Sequence, residues 1–237
     1  MVNNNRRAWF FFAAAGAALL FASWTGRCYA QQEIPFKIAK IYWEYNSSAN
    51  DLGVHVSLDA EDWRLLRIRT PNGRSIFEVR GFAAYRELGM TELFFEGAEP
   101  SLDEFPLAGL LTRFPEGEYE ISGRTVDGVA LESDVMFSHA IPDGPYPSAA
   151  VGPGDSVVIS WTPVSSPPPG FPNKPINIVG YQVIVGLFQV TVPASTLSVT
   201  VPPEFVASLP SGVQAYEVLA IEASANQTLR EGTFVLP

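Results

Sequence analysis

The sequence contains few of the side chains that usually carry chemistry. One of its 237 residues is cysteine and two are histidine. Because Cys28 lies in an N-terminal segment with the features of an export signal, we expect the exported chain to have no thiol, disulfide or cysteine metal ligand. There are 15 basic and 25 acidic residues, for a net charge of −10. This balance argues against binding to nucleic acid or anionic lipid, both of which require a basic surface.

One long uncharged apolar run occurs, near the start of the chain. Arg6 and Arg7 precede it, it extends over residues 8–24, and a Cys28-Tyr29-Ala30 cleavage pattern follows. We predict that residues 1–30 are a signal peptide and that the protein is periplasmic or secreted. A retained N-terminal membrane anchor is the alternative, since a run of roughly seventeen residues is at the short limit for spanning a bilayer.

No known catalytic or metal-binding pattern occurs. His55 and His139 have neither a nucleophile motif nor a paired histidine nearby, and His55 lies on the polar side of an alternating strand. Acidic residues crowd two turns but lack the spacing of a calcium loop. We therefore predict a protein that is not an enzyme and has no catalytic residue, no cofactor and no metal ligand. Whether its first domain binds calcium stays open.

Residues 155–237 contain four runs in which apolar residues alternate with polar ones, separated by Pro, Gly and Ser. This period of two is typical of β-strands that bury one face. The runs are Val157-Ile159-Trp161, Tyr181-Val183-Val185, Leu197-Val199-Val201 and Tyr216-Val218-Ala220.

These runs resemble a fibronectin type III domain. The segment Val157–Pro163 matches that family's second strand and its core tryptophan, and Val179–Val183 matches the third. The resemblance implies a seven-stranded β-sandwich. In the family a tyrosine follows a leucine by six residues; here Tyr216 follows Leu209 by seven, and Gln214 fits the tyrosine position equally well. An insertion over residues 165–175 carries five prolines.

Residues 31–141 also show mostly strand patterns. A hairpin turn is predicted at Pro71-Asn72-Gly73-Arg74, because Asn-Gly tolerates positive φ. One helix is predicted over residues 101–114, where Ser101 and Glu104 fit a capping box. The segment Phe114–Tyr119, followed by the Asp127-Gly128 turn, resembles the last hairpin of bacterial immunoglobulin-like domains.

The predicted fold class is all-β, with two immunoglobulin-like or fibronectin type III β-sandwiches in tandem and one short helix in the first. The predicted domains are 31–141 and 155–237. Between them, residues 142–154 are predicted to be a linker because proline and glycine are concentrated there.

The predicted function is that of an exported bacterial binding or adhesion module for an unidentified protein or glycan. A structural spacer or assembly subunit of the cell envelope is the alternative. Extended polyproline segments and flat aromatic side chains are both suited to contacting partners. The candidate partner-binding residues are Pro168, Pro169, Phe171 and Trp63.

Overall fold

The computed structural model describes residues 33–237, and the fold of these residues is all-β. The predicted signal peptide, residues 1–30, lies outside the described residues. Within residues 33–237, no helix combines the length and apolar character needed to cross a membrane.

The first half of the described chain contains seven strands and two short helices. In chain order they are β1 (Glu33–Ile34), β2 (Ile38–Asn46), β3 (Asp51–Arg69), β4 (Ser75–Arg80), α1 (Ala84–Leu88), β5 (Met90–Glu96), α2 (Leu107–Arg113), β6 (Gly117–Thr125) and β7 (Ala130–Phe137).

The second half contains seven strands, one short α-helix and a single 3₁₀ turn at Pro153–Asp155. The strands and the α-helix are β8 (Pro147–Val151), β9 (Val157–Trp161), β10 (Ile178–Val185), β11 (Phe188–Pro193), β12 (Ser198–Val201), α3 (Pro203–Val206), β13 (Gly212–Glu222) and β14 (Gln227–Leu236).

Strand β3 takes part in both layers of the first sandwich. Its first part, Asp51–Asp59, pairs with β2 and β5, and its last part, Trp63–Arg69, pairs with β4 and β6. The register shifts between Asp59 and Trp63, where the strand changes partners. Both parts contribute buried side chains to one core, among them Val54, Val56, Leu58, Leu66 and Ile68.

The second sandwich confirms the alternation predicted from the sequence. Strands β8, β9 and β12 form a three-stranded sheet that faces β10, β11, β13 and β14 across a core. Trp161 and Tyr181 lie at the centre of this core with their ring centroids 5.4 Å apart. Strand β8 falls within the segment predicted as a linker. Its Pro147 is tolerated because it is the first residue of an edge strand, where a missing N–H costs little.

The predicted helix is present but shorter than expected. Helix α2 begins at Leu107, directly after Pro106, rather than at Ser101. Proline has no N–H to donate and restricts the residue before it, so the chain from Ser101 forms a separate turn and the helix starts after the proline. Helix α1 is an additional short helix without any buried residue.

Near the start of the next-to-last strand of each sandwich, a side chain donates a hydrogen bond to a backbone carbonyl just before that strand. In the first, the Tyr119 hydroxyl donates to the Pro115 carbonyl at 3.0 Å. In the second, Gln214 Nε2 donates to the Pro210 carbonyl at 2.7 Å. Both bonds return to a residue four positions earlier, which is the geometry of a tyrosine corner. Gln214 therefore occupies the tyrosine position, and Tyr216 belongs to the core.

A short parallel ladder joins the two sandwiches. Residues Gln227–Leu229 of β14 pair with Glu44–Asn46 of β2. The ladder makes a single 11-stranded sheet of strands from both halves.

Asn226 fixes the start of this ladder. Its side chain is fully buried. Its Oδ1 accepts a hydrogen bond from the Trp43 backbone N–H at 2.8 Å. Its Nδ2 donates to the carbonyls of Ser138 at 2.8 Å and Ala140 at 3.1 Å. One amide thus satisfies backbone groups of β2 and of the segment that leaves the first sandwich.

We predict that Asn226→Ala lowers the free energy of unfolding by about 3 kcal/mol, because it leaves one donor and two acceptors unsatisfied in a buried place. Urea unfolding of the purified protein measures the change. Asn173→Ala, at an exposed asparagine, is the matched control and is expected to have little effect. A loss below about 1 kcal/mol for Asn226→Ala would contradict the role given to this side chain.

Candidate functional site

The four candidate partner-binding residues fall in two different places. Trp63 is only 1% exposed and belongs to the core of the first sandwich, so its ring packs against other side chains. Pro168, Pro169 and Phe171 lie together in the loop between β9 and β10. Pro168 is buried, Phe171 is half-buried and Pro169 is exposed. Partner binding by this loop stays a prediction, with Pro169 its most accessible member.

The proline-rich loop is attached to the first sandwich. The Phe171 ring packs against Tyr45 with a centroid distance of 4.8 Å. Lys174 Nζ lies 2.6 Å from Glu116 Oε2. Burial alone would raise the pKa of Glu116, but the hydrogen bond from Lys174 and one from the backbone outweigh it, and the net shift is downward. The loop therefore acts as a strap between the two sandwiches.

Three exposed apolar side chains lie close together in sequence on the loop between β4 and β5. Phe82, Tyr85 and Leu88 are 76%, 64% and 77% exposed, respectively. We call these three side chains the aromatic knob. Tyr85 and Leu88 are three positions apart in α1 and so lie on one helix face. Large apolar side chains grouped in this way at a surface are typical of interaction sites.

Arginines surround the base of the knob. Arg64, Arg80 and Arg86 line a cavity of about 270 Å³ together with Leu65, Gly81 and Phe82. Arg80 is paired with Glu78, its Nη2 lying 2.7 Å from Oε1. Among residues 33–237, Arg64 and Arg86 form no ion pair with a carboxylate. This concentration of positive charge contrasts with the acidic character of the whole chain.

The backbone of the knob is held in a specific shape. A Cβ at Gly81 would lie 2.7 Å from the Tyr85 carbonyl oxygen, so the chain closes tightly over this glycine. Ala83 has φ 46° and ψ −121°, which is unfavourable for a residue with a side chain. Strain of this kind persists where the surrounding structure imposes it, and it is concentrated at functional sites.

A second group of polar side chains lies on the outer face of the first sandwich. His55 Nε2 is 2.9 Å from Glu99 Oε1, and His55 Nδ1 is 3.8 Å from Glu44 Oε2. The alternating pattern predicts His55 on the polar face of its strand, but only 4% of the residue is exposed. The difference arises because Glu99, from the segment after β5, lies over the strand and covers it.

Burial also affects the acids near His55. It raises the pKa of Glu44, although His55 and the hydrogen bond from Gln227 act in the opposite direction. The pKa of Tyr42 rises to about 12, mainly through burial and further through Glu44 and Glu96. In the described part of the chain, no serine, threonine or cysteine side chain hydrogen-bonds to His55. The group thus offers acid–base and metal-ligand chemistry without an adjacent nucleophile.

Comparisons with known proteins give structural likenesses only. No protein family matches the chain, and no curated protein matches it. A two-domain fibronectin type III segment of chicken tenascin is 14% identical with a TM-score of 0.26, covering 84% of this chain and 98% of that chain.

Two bacterial structures are similarly distant. A 1.5-MDa ice-binding adhesin is 12% identical with a TM-score of 0.29, covering 84% of this chain. The spore cortex lytic enzyme SleM of Clostridium perfringens is 16% identical with a TM-score of 0.29, covering 43% of this chain. The chain spans 63% of the adhesin structure and 29% of SleM. Likeness at this level does not transfer an activity.

We predict that Phe171→Ala destabilises the protein by about 2 kcal/mol, since a half-buried ring gains roughly half the stabilisation of a fully buried one. Thermal or urea unfolding measures the change. Pro169→Ala, in the same loop but exposed, should have almost no effect. Equal and negligible effects of the two substitutions would show that the loop is not a strap.

Proposed function

We propose that this protein is an exported, non-catalytic β-sandwich module that binds another protein through the aromatic knob. The observation that carries the proposal is the exposure of Phe82, Tyr85 and Leu88 on a loop with a constrained backbone, next to Arg64 and Arg86. The export pattern of residues 1–30 supports a periplasmic or secreted location.

A protein partner fits this chemistry better than a glycan. Aromatic residues and arginine are enriched at the centres of protein interfaces, where they supply most of the binding energy. The knob combines two aromatic rings with an aliphatic side chain, and two of its three residues belong to the short helix α1, whereas sugars usually stack on flat aromatic surfaces.

The partner surface should be acidic. Arg64 and Arg86 have no carboxylate partner within the described residues, and complementary charge speeds association and selects the partner. We therefore propose that the knob inserts into an apolar depression bordered by carboxylates. Binding should weaken as the salt concentration rises, because exposed charges are screened.

A structural spacer is a second candidate, and the junction of the two sandwiches favours it. The β2–β14 ladder, the Asn226 hydrogen bonds and the strap all oppose bending between the halves. A spacer would use this rigidity to hold two other surfaces at a fixed distance.

The test replaces the knob and compares the result with a matched control. The variant Phe82→Ser/Tyr85→Ser/Leu88→Ser removes the apolar surface without touching the core. The control Leu187→Ser/Val213→Ser/Val235→Ser changes three side chains of comparable exposure elsewhere. We expect capture of a specific acidic protein from envelope extract to fall by roughly tenfold or more in the knob variant and to persist in the control.

A charge variant tests the second part of the proposal. Arg64→Glu/Arg86→Glu should weaken capture and reduce its salt dependence. Equal capture by the knob variant and the control would contradict the proposal. Self-association of the wild-type protein can be measured by ultracentrifugation. If the knob variant loses self-association and not the capture of a foreign protein, the proposal is contradicted and the occupant of the knob is a second copy of this chain.

A further inference from the structure

Glu44, His55 and Glu99 bring together three side chains of the kinds that ligate metal ions. One donor atom from each of the three side chains lies within 4.8 Å of the other two. Donor atoms around one tetrahedral zinc ion are roughly 3.4 Å apart, given bond lengths of about 2.0 to 2.2 Å. Glu99 Oε1 is 2.9 Å from His55 Nε2, whereas Glu44 Oε2 is 3.8 Å from the other ring nitrogen, Nδ1. Because one ion takes a single nitrogen of an imidazole, binding requires the ring or one carboxylate to rotate so that both carboxylates approach the same nitrogen.

The chemical type of the three donor atoms determines which metal ions the group prefers. An imidazole nitrogen with two carboxylate oxygens suits zinc and related divalent transition metals, whereas calcium and magnesium prefer all-oxygen sites. We propose that Glu44, His55 and Glu99 form a binding site for a divalent transition-metal ion of the zinc class.

The local backbone is suited to hold the three side chains together. Glu44 and His55 come from the neighbouring strands β2 and β3, and Glu99 reaches them across Gly53. A Cβ at Gly53 would lie 2.5 Å from Glu99 Cγ, so glycine is needed for Glu99 to lie there. The imidazole is flanked by the rings of Tyr42 and Phe94, with centroids 5.3 Å and 6.1 Å away.

The charge of the surroundings favours a cation. Glu96 and Asp51 lie near the same group. Within residues 33–237, no lysine or arginine forms an ion pair with Glu44, Glu99, Glu96 or Asp51. In the described part of the chain, His55 is the only group with an ion-pair contact to either glutamate of the proposed site. The Glu99 side chain is 31% exposed, which leaves a way in from solvent.

The proposed site also touches the junction between the sandwiches. Gln227 Nε2, at the start of β14, donates a hydrogen bond to Glu44 Oε2. A ligand carboxylate held in this way by a neighbouring amide is typical of metal sites, where outer hydrogen bonds orient the ligands. An ion bound here should therefore stabilise the β2–β14 ladder as well as the first sandwich.

The experiment measures binding of zinc chloride to the purified, chelator-treated protein by titration calorimetry and thermal unfolding. We expect one ion per chain and a rise in Tm with zinc concentration, since an ion that binds the folded state stabilises it. Cobalt(II) in place of zinc should give visible absorption bands. Calcium and magnesium chloride should have much weaker effects.

Variants locate the site and keep the proposal falsifiable. His55→Gln and Glu99→Gln should each lower zinc affinity by roughly tenfold or more. His139→Gln, at the other histidine, and Glu104→Gln, at a nearby exposed acid, should leave it unchanged. If His55→Gln does not fold, cobalt-induced shifts of the wild-type His55 imidazole signals in the NMR spectrum replace it. Absence of zinc binding, equal binding by the variants, or shifts at His139 instead would overturn the proposal.

Discussion

The arrangement of the two sandwiches depends on the hydrogen bonds of one buried side chain, the Asn226 amide. It uses its oxygen and both of its amide hydrogens on backbone groups that would otherwise be buried without partners. Unsatisfied groups of this kind cost more than an ordinary hydrogen bond gains. Strand β14 and its pairing with β2 both begin at the next residue, Gln227. The neighbouring Thr228 side chain acts in the same way, because its hydroxyl donates a hydrogen bond to the backbone carbonyl of Pro142.

Side-chain contacts of ordinary strength supplement the Asn226 hydrogen bonds between the two sandwiches. Arg230 lies over the Tyr146 ring at 3.9 Å and donates to the Ser47 hydroxyl at 3.0 Å. The proline-rich loop places Phe171 against Tyr45, a residue of the ladder itself, and Lys174 against Glu116, just before β6 of the first sandwich. Contacts from several elements oppose rotation more effectively than one contact.

Much of the fold could be predicted because it depends on local patterns. Alternation locates strands such as Val157–Trp161, and Asn72-Gly73 identifies a turn, since both effects act between neighbours in the chain. The residue at the corner cannot be chosen from sequence, because glutamine and tyrosine can both donate to the same carbonyl; the structure shows that Gln214 does so.

The junction and the proposed metal group could not be predicted in this way. Asn226 and Trp43 are 183 positions apart, and the sequence around Asn226 indicates only a turn. Glu44, His55 and Glu99 have no motif spacing, and their proximity follows from strand pairing and from the space above Gly53. Trp63 looks like a surface aromatic in sequence but is buried where β3 changes partners. In each case the position of the side chain is decided by contacts between different strands or loops. The residue pattern of a single strand does not predict such contacts.

We expect the two sandwiches to form one rigid body through the Asn226 junction. Residual dipolar couplings of backbone amides, measured separately for residues 33–141 and 147–237 in one weakly aligned sample, test it most directly. A rigid junction gives one alignment tensor, equal in magnitude and orientation, for both sets. Two tensors of different magnitude would mean that the sandwiches move independently and would contradict it.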